Sequence, residues 1–322
     1  MRASQKVLLP LGTLGLALLV WRLDMSAVRA GLAHLGWGLA LVIGQELVAH
    51  LLNALGWRFA FAPEDARAFP LVELVRLRVV GDAINYVTPT ATLGGEVARV
   101  AMLDERRSSD VRTVSVIIAK ATQTLAQALF VTAGLVLAVT CWTGLAFARP
   151  LARVAGLGMA GVAPVMLGGQ SWWAAASAAW RRAFGPGVLA FVRDHPGRVA
   201  LSASMFALGY AWGAFEAYWI CRLLRFPVTV ATAFSIEMLS ITVDAFLFMV
   251  PAKIGTQEGG KVAVFAALGL PATAGFAFGV VRHLRELAWA GIGLLLCVAV
   301  PGGERLGQRF ARPSGQAGGL PR

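Results

Sequence analysis

Residues 244–261, DAFLFMVPAKIGTQEGGK, decide how this chain is read, because an earlier stretch repeats them. Residues 82–99 read DAINYVTPTATLGGEVAR, and the two align when Pro89 is set on Pro251, 162 positions later. Both copies then have Asp-Ala before the proline (Asp82, Asp244), a glutamate seven residues after it (Glu96, Glu258) and a cation three further on (Arg99, Lys261). Gly94 and Gly95 lie between proline and glutamate in the first copy, and Gly255 in the second. The offset is close to half of the 322 residues, so the chain reads as an internal duplication.

Each copy sits in apolar surroundings, yet carries a helix-breaking proline, glycines and several ionisable groups. In a bilayer, freed backbone groups persist only where protein or a water-filled cavity covers them. Charges at that depth mark function, and paired interrupted segments in corresponding halves of a membrane protein mark a transport site. A plainer reading makes the two stretches interfacial loops whose acids cap helix ends, and both readings stand at this point.

Composition favours the bilayer. Hydrophobic residues make up 57% of the chain, charged residues 14%, and the mean hydropathy is +0.68, which together describe a single polytopic membrane domain over residues 1–322. A formal charge of +12 invites a nucleic-acid reading, but the arginines are scattered between apolar runs with no basic stripe or base-stacking motif. Cationic ends of membrane spans facing anionic headgroups account for them, and no nucleic-acid partner is expected. Cys141, Cys221 and Cys297 are far apart and form no CxxC, and the four histidines form no HExxH. The expectation is no metal and no cofactor.

Six spans are expected, at about 7–21, 35–61, 114–139, 151–167, 199–224 and 274–300. Arg2 and Lys6 place the N-terminus in the cytoplasm. Residues 103–112 read as a charged, solvated loop, 171–198 as a surface segment joining the halves, and the tail from Gly302 as disordered. The second span carries Glu46 and His50 on one face, with Asn53 close to it; this is either a polar knot between helices or the lining of a cavity. The third presents Lys120, Gln123 and Gln127 on one face, and the fifth carries Glu216. The sixth opens with Arg282, His283, Arg285 and Glu286, where Arg282 and Glu286 are spaced to pair.

Neither repeat, at 81–97 or within 231–270, has room for two crossings of about 20 residues each, so both are expected to be re-entrant hairpins. Three spans separate them, and an odd number sends them in from opposite sides. The result is an inverted repeat with halves at about 7–140 and 151–300. An all-α architecture of this kind brings Asp82, Glu96, Arg99, Asp244, Glu258 and Lys261 toward one midplane. Mixed carboxylates and cations there suit a polar or zwitterionic headgroup whose tail stays in lipid, or a proton-coupled step.

The first copy's pattern, Asn85 and Pro89 followed by Gly94, Gly95, Glu96 and Arg99, resembles the transmembrane domain of lysylphosphatidylglycerol synthases and related flippase-like proteins. The second copy, VPAKIGTQEGG with Pro251, Gly255 and Glu258, is followed by ALGLP and by VRHLRELAW, which holds Arg282, Arg285 and Glu286. It is most similar to the hopanoid-biosynthesis-associated branch. The resemblance spans about 7–300 and implies a multi-pass protein of the bacterial inner membrane, both termini cytoplasmic, that moves or presents a lipid (a hopanoid, phospholipid or glycolipid). Partner proteins of lipid synthesis or transport would accompany it. Nothing but a short tail follows the last span, so the soluble aminoacyl-transfer domain of the synthases is missing and no enzymatic activity is expected.

Two other readings compete. An intramembrane lipid-pyrophosphate phosphatase needs a nucleophile or phosphate-gripping group beside its glutamates, and between Pro251 and Lys261 there is Thr256 and Lys253 but no Ser or Arg. The other is a non-catalytic membrane subunit that organises a glycolipid or hopanoid synthesis complex and has an obligate partner.

Overall fold

The computed structural model describes residues 26, 29, 33–88, 94–103, 107–141, 185–246, 250 and 253–299. The expected spans at 7–21 and 151–167, most of the turn at 141–150, the tail from Gly302, and both repeat prolines, Pro89 and Pro251, lie outside them. Among the described residues every regular element is helical: α1 (Gly38–Phe59), α2 (Pro63–Ala66), α3 (Leu71–Val87), α4 (Gly94–Met102), α5 (Ser109–Cys141), α6 (Pro186–Asp194), α7 (Pro196–Leu223), α8 (Val230–Phe246), α9 (Thr256–Ala267) and α10 (Ala272–Ala299).

Local sequence sets the boundaries. Thr88, the residue before Pro89, is extended (φ −111°, ψ 130°) and ends α3, as a pre-proline residue is disfavoured in helix. Pro186 and Pro196 stand in the first turns of α6 and α7, where a missing N–H costs nothing. Thr229 Oγ1 accepts the Thr232 N–H at 3.1 Å and caps α8. Gly255, at φ +74°, turns the chain into α9 through a left-handed conformation that a side chain would strain.

Among the described residues, large apolar side chains face outward while an unusual number of charged ones are buried between two apolar core clusters. Leu41, Leu47, Leu129, Val136, Leu208, Phe215, Leu284, Leu287, Leu295 and Val298 are exposed on α1, α5, α7 and α10, while Arg78, Arg99, Glu216, Glu237, Lys261, Arg282 and Arg285 are buried. Two helices, Gly38–Phe59 and Ser109–Leu137, are long and apolar enough to cross a membrane. α7 and α10 have the length, at 28 residues each. Yet any 18-residue stretch of α10 contains Arg282, Arg285 and Glu286, so the site residues themselves interrupt its apolar run.

Helix directions follow from the contacts. α1 and α7 are antiparallel: Ser202 Oγ donates to the Gly56 carbonyl at 2.8 Å, Trp212 Nε1 to Gln45 Oε1 at 2.6 Å, and Gly38 lies against Leu223. α5 runs parallel to α7, with the Thr122 and Ser202 hydroxyls 2.8 Å apart and Tyr210 Oη donating to Gln127 Oε1 at 3.3 Å. The 33-residue α5 is about 50 Å long, so the chain leaves it at the end of the bundle opposite to where α7 begins.

The first repeat contributes a pair of helices, α3 and α4, that begins and ends at the C-terminal end of α1. There Phe69 stacks on Phe61, Arg107 Nε pairs with Asp65 at 2.6 Å, and Arg112 donates to the carbonyls of Val100 and Leu103. The second unit, α8–α9, begins and ends at the other end, where Phe226 stacks on Phe265 and Leu35, Leu224 and Leu268 share one apolar cluster. The last helix of each half packs on the other half's unit. Gly293 of α10 lies against Val79 and Ala83 of α3, and Gly134 of α5 against Phe234 and Met238 of α8.

Two boundaries differ from the sequence reading. Residues 103–112 are not a solvated loop throughout, because α5 begins at Ser109 and Arg112 is buried beneath the end of α4, where its guanidinium satisfies two carbonyls. Arg198 belongs to α7 rather than to a surface segment, held by hydrogen bonds to the Phe61 carbonyl (2.5 Å) and the Arg58 carbonyl (2.8 Å).

Candidate functional site

In the first unit, Asp82 in the middle of α3 gathers cations. Arg99 Nη2 of α4 lies 2.6 Å from its Oδ1 and Arg78 Nε 3.2 Å from its Oδ2, with His50 Nδ1 of α1 at 3.7 Å. Glu96 faces Arg99 at 3.2 Å and Lys120 of α5 at 3.0 Å, and accepts a hydrogen bond from Asn85 Nδ2 at 3.0 Å. Asn85 Oδ1 in turn accepts the Gly95 N–H at 2.7 Å, so α3 caps α4. That approach demands glycine, since a Cβ at Gly95 would collide with the Gly81 carbonyl and the Asn85 side chain. A cavity of about 10 Å³, room for one water, lies among Trp57, Arg78, Glu96, Arg99, Lys120 and Gln123.

The second unit repeats the pattern with different chemistry. Lys261 Nζ of α9 lies 3.0 Å from Asp244 Oδ1 of α8, and Lys253 Nζ bridges Asp244 (3.4 Å) and Glu286 (3.2 Å). Gln257 Nε2 also donates to Glu286, at 3.1 Å. Glu258 faces His283 of α10, whose Nδ1 lies 2.5 Å from Glu258 Oε1.

Between the units runs a third group. Arg282 pairs with Glu237 of α8 (2.6 Å) and Glu216 of α7 (3.0 Å), while Arg285 pairs with Glu216 and with Glu46 of α1 (2.9 Å). The halves then meet: Tyr86 of α3 sits edge-on to His283 at 6.5 Å, His50 packs on Trp289 at 4.5 Å, and Trp289 Nε1 donates to the Ile43 carbonyl at 2.8 Å.

The structure therefore brings together Asp82, Asn85, Gly94, Gly95, Glu96 and Arg99 within one unit, and Asp244, Gly255, Glu258, Lys261, Arg285 and Glu286 around the other, with Arg282 beside them. The expected pairing of Arg282 with Glu286 is overturned. One helical turn of spacing permits it, but Glu216 and Glu237 on neighbouring helices reach Arg282 first, and Glu286 turns to Lys253 and Gln257. The capping role considered for the repeat glutamates does not describe their contacts either: both lie in first turns, yet both bond side chains across helices.

Lys120 and Gln123 do turn a common polar face inward, onto Glu96 and Arg78. Glu46 pairs with Arg285 and His50 lies beside Asp82, both across helices. Sequence reasoning passed over Arg78, Glu237 and Gln257 and did not place Lys253 or His283 in the site. The signal that could have found Glu237 is a carboxylate inside an otherwise uncharged, largely apolar stretch, SIEMLSITV.

Chemically this is a buried, nearly charge-balanced network of carboxylates and cations. Among the described residues no group of three or more His, Cys, Asp or Glu is arranged to hold a metal ion. The sequence model of the family described as Lysylphosphatidylglycerol synthase TM region matches residues 7–293. No curated protein and no solved structure matches the chain.

Proposed function

Since the chain belongs to the lysylphosphatidylglycerol synthase TM-region family, and is thereby a membrane protein tied to lipid metabolism, we propose that it moves a membrane lipid across or out of the bacterial inner membrane. In this reading it has six crossings, cytoplasmic termini, no catalytic activity of its own, and a polar path between two re-entrant hairpins. A hopanoid, or a related lipid with a small polar head, is the cargo. One observation carries the reading: charge-bearing helix pairs come from opposite ends of the bundle and meet at α10, while the outer faces of α1, α5, α7 and α10 are apolar. The polar interior offers a headgroup replacements for its water, and the apolar exterior leaves the tail in lipid. Antiparallel α1 and α7, the matching spans of the two halves, support the inverted arrangement.

The test is complementation of a deletion strain with separated inner- and outer-membrane lipids analysed. Glu96→Gln and Glu258→Gln should accumulate at near-native levels and leave lipid distribution abnormal, while Glu73→Gln, outside the repeat, should restore it. Full complementation by both repeat variants would overturn the proposal.

A further inference from the structure

The two repeat glutamates are held differently. Glu96 is fixed by Arg99, Lys120 and Asn85. Its counterpart Glu258 has His283 against Oε1, and its buried Oε2 has no hydrogen-bond partner. One difference lies within the repeat itself. Arg99 has a forked guanidinium that reaches both Asp82 and Glu96, one nitrogen to each. Lys261, at the same position of the second copy, carries a single point charge, and it is directed at Asp244. Glu258 is left facing a side chain whose charge depends on pH.

The neighbours do not replace the missing fixed charge. From α9 itself, Gln257 donates to Glu286, and Lys261 is taken by Asp244 of α8. From α10, Arg282 is held by Glu216 and Glu237, Arg285 by Glu216 and Glu46, and Glu286 by Lys253. From α3, Tyr86 meets the His283 ring at its edge. Among the described residues each fixed cation around the pair thus already faces a carboxylate other than Glu258, so a proton is the charge that Glu258 and His283 can share.

We infer that Glu258 and His283 form a proton-binding site, the titratable counterpart of the fixed ion pairs at Glu96. The pair takes one proton from water and returns one to water, with a change of one positive charge and no other chemistry. Because Glu258 lies on α9 and His283 on α10, that charge sits on the joint between the second unit and the helix that packs on the first. The existence of the site stands apart from lipid movement; that the proton drives such movement rests on the function proposed above.

The experiment is infrared difference spectroscopy of the purified full-length protein in lipid nanodiscs, between alkaline and acidic buffer, without added substrate. The wild type should show a carboxyl band that appears on acidification. Glu96→Gln should keep it and Glu258→Gln should lose it. Lys261→Arg, which retains every charge, should also lose it, because a guanidinium three residues on can hold Glu258 as Arg99 holds Glu96. A band that persists unchanged in either Glu258→Gln or Lys261→Arg overturns the inference. Should Glu258→Gln fail to fold, Lys261→Arg alone decides. Loss of the band with no lipid movement in reconstituted vesicles would leave the proton site standing and remove the transport reading.

Discussion

Lys261 Nζ lies 3.0 Å from Asp244 Oδ1, 17 residues earlier in the chain, and Arg99 Nη2 lies 2.6 Å from Asp82 Oδ1 across the same separation. The shared separation makes each pair the clasp between the two helices of its unit. Lys261 has no exposed surface, so an unpaired ammonium there has no route to water. Removing one partner of a buried pair typically costs about 3–5 kcal/mol, whereas replacing both by apolar groups is often neutral. Lys261→Met and Asp244→Leu should each lower the melting temperature in detergent strongly, and the double variant should recover most of the loss. A double variant as unstable as the sum of the singles would mean that the two side chains act independently.

Gly95 tests the close approach of α4 to α3. An added Cβ meets the Gly81 carbonyl and the Asn85 side chain, neither of which can retreat without breaking the cap on α4. Overpacking of this kind costs about 1–3 kcal/mol. Gly95→Ala should therefore reduce folded yield on size-exclusion chromatography, while Gly44→Ala and Gly291→Ala, where an added Cβ has open space, should not. Equal yields for all three would show that the contact is not tight.

Much of this was legible because the repeat is a pattern of residue types at fixed spacing. Asp82 with Arg99 and Asp244 with Lys261 stand out in sequence, and α3 ends at Thr88, just before Pro89, while Gly255 leads into α9. The partners that complete the site were not legible. His50, Lys120, Glu216 and Glu237 approach from other helices, across separations that no local period encodes. Arg282 and Glu286 show the converse: one helical turn of spacing suggested a pair, and tertiary packing gave each a different partner. Hydropathy also under-reads α10, because Arg282, Arg285 and Glu286 interrupt its apolar run.

Glu216 is the carboxylate shared by Arg282 and Arg285, and it is nearly fully buried. Glu216→Gln leaves two guanidiniums with one charged partner fewer at a site shielded from water. Glu286→Gln removes less, because its amide oxygen can still accept from Lys253 and Gln257. Glu216→Gln should therefore cut the folded fraction several times more than Glu286→Gln, as read by fluorescence-detected chromatography after a heat step. If Glu286→Gln proves the more damaging, the centre of the network is Lys253 rather than the paired arginines.

The last prediction concerns which side of the membrane each unit opens to. The α3–α4 unit returns to the end of the bundle where α5 starts, beside exposed Ser108, and α8 starts at the other end, where Val230 is exposed. α1, which joins the two ends, is 22 residues long, about 33 Å, matching the hydrocarbon thickness of a bilayer. Residues 108 and 230 should therefore face opposite aqueous phases, with 108 cytoplasmic. In a variant lacking Cys141, Cys221 and Cys297, Ser108→Cys should react with a membrane-impermeant maleimide only in inverted vesicles, and Val230→Cys only in intact spheroplasts. Helix ends of this kind cannot share a side unless α1 lies flat in the membrane. Labelling of both positions from one side would sink the opposed arrangement of the two units, and with it the path proposed between them.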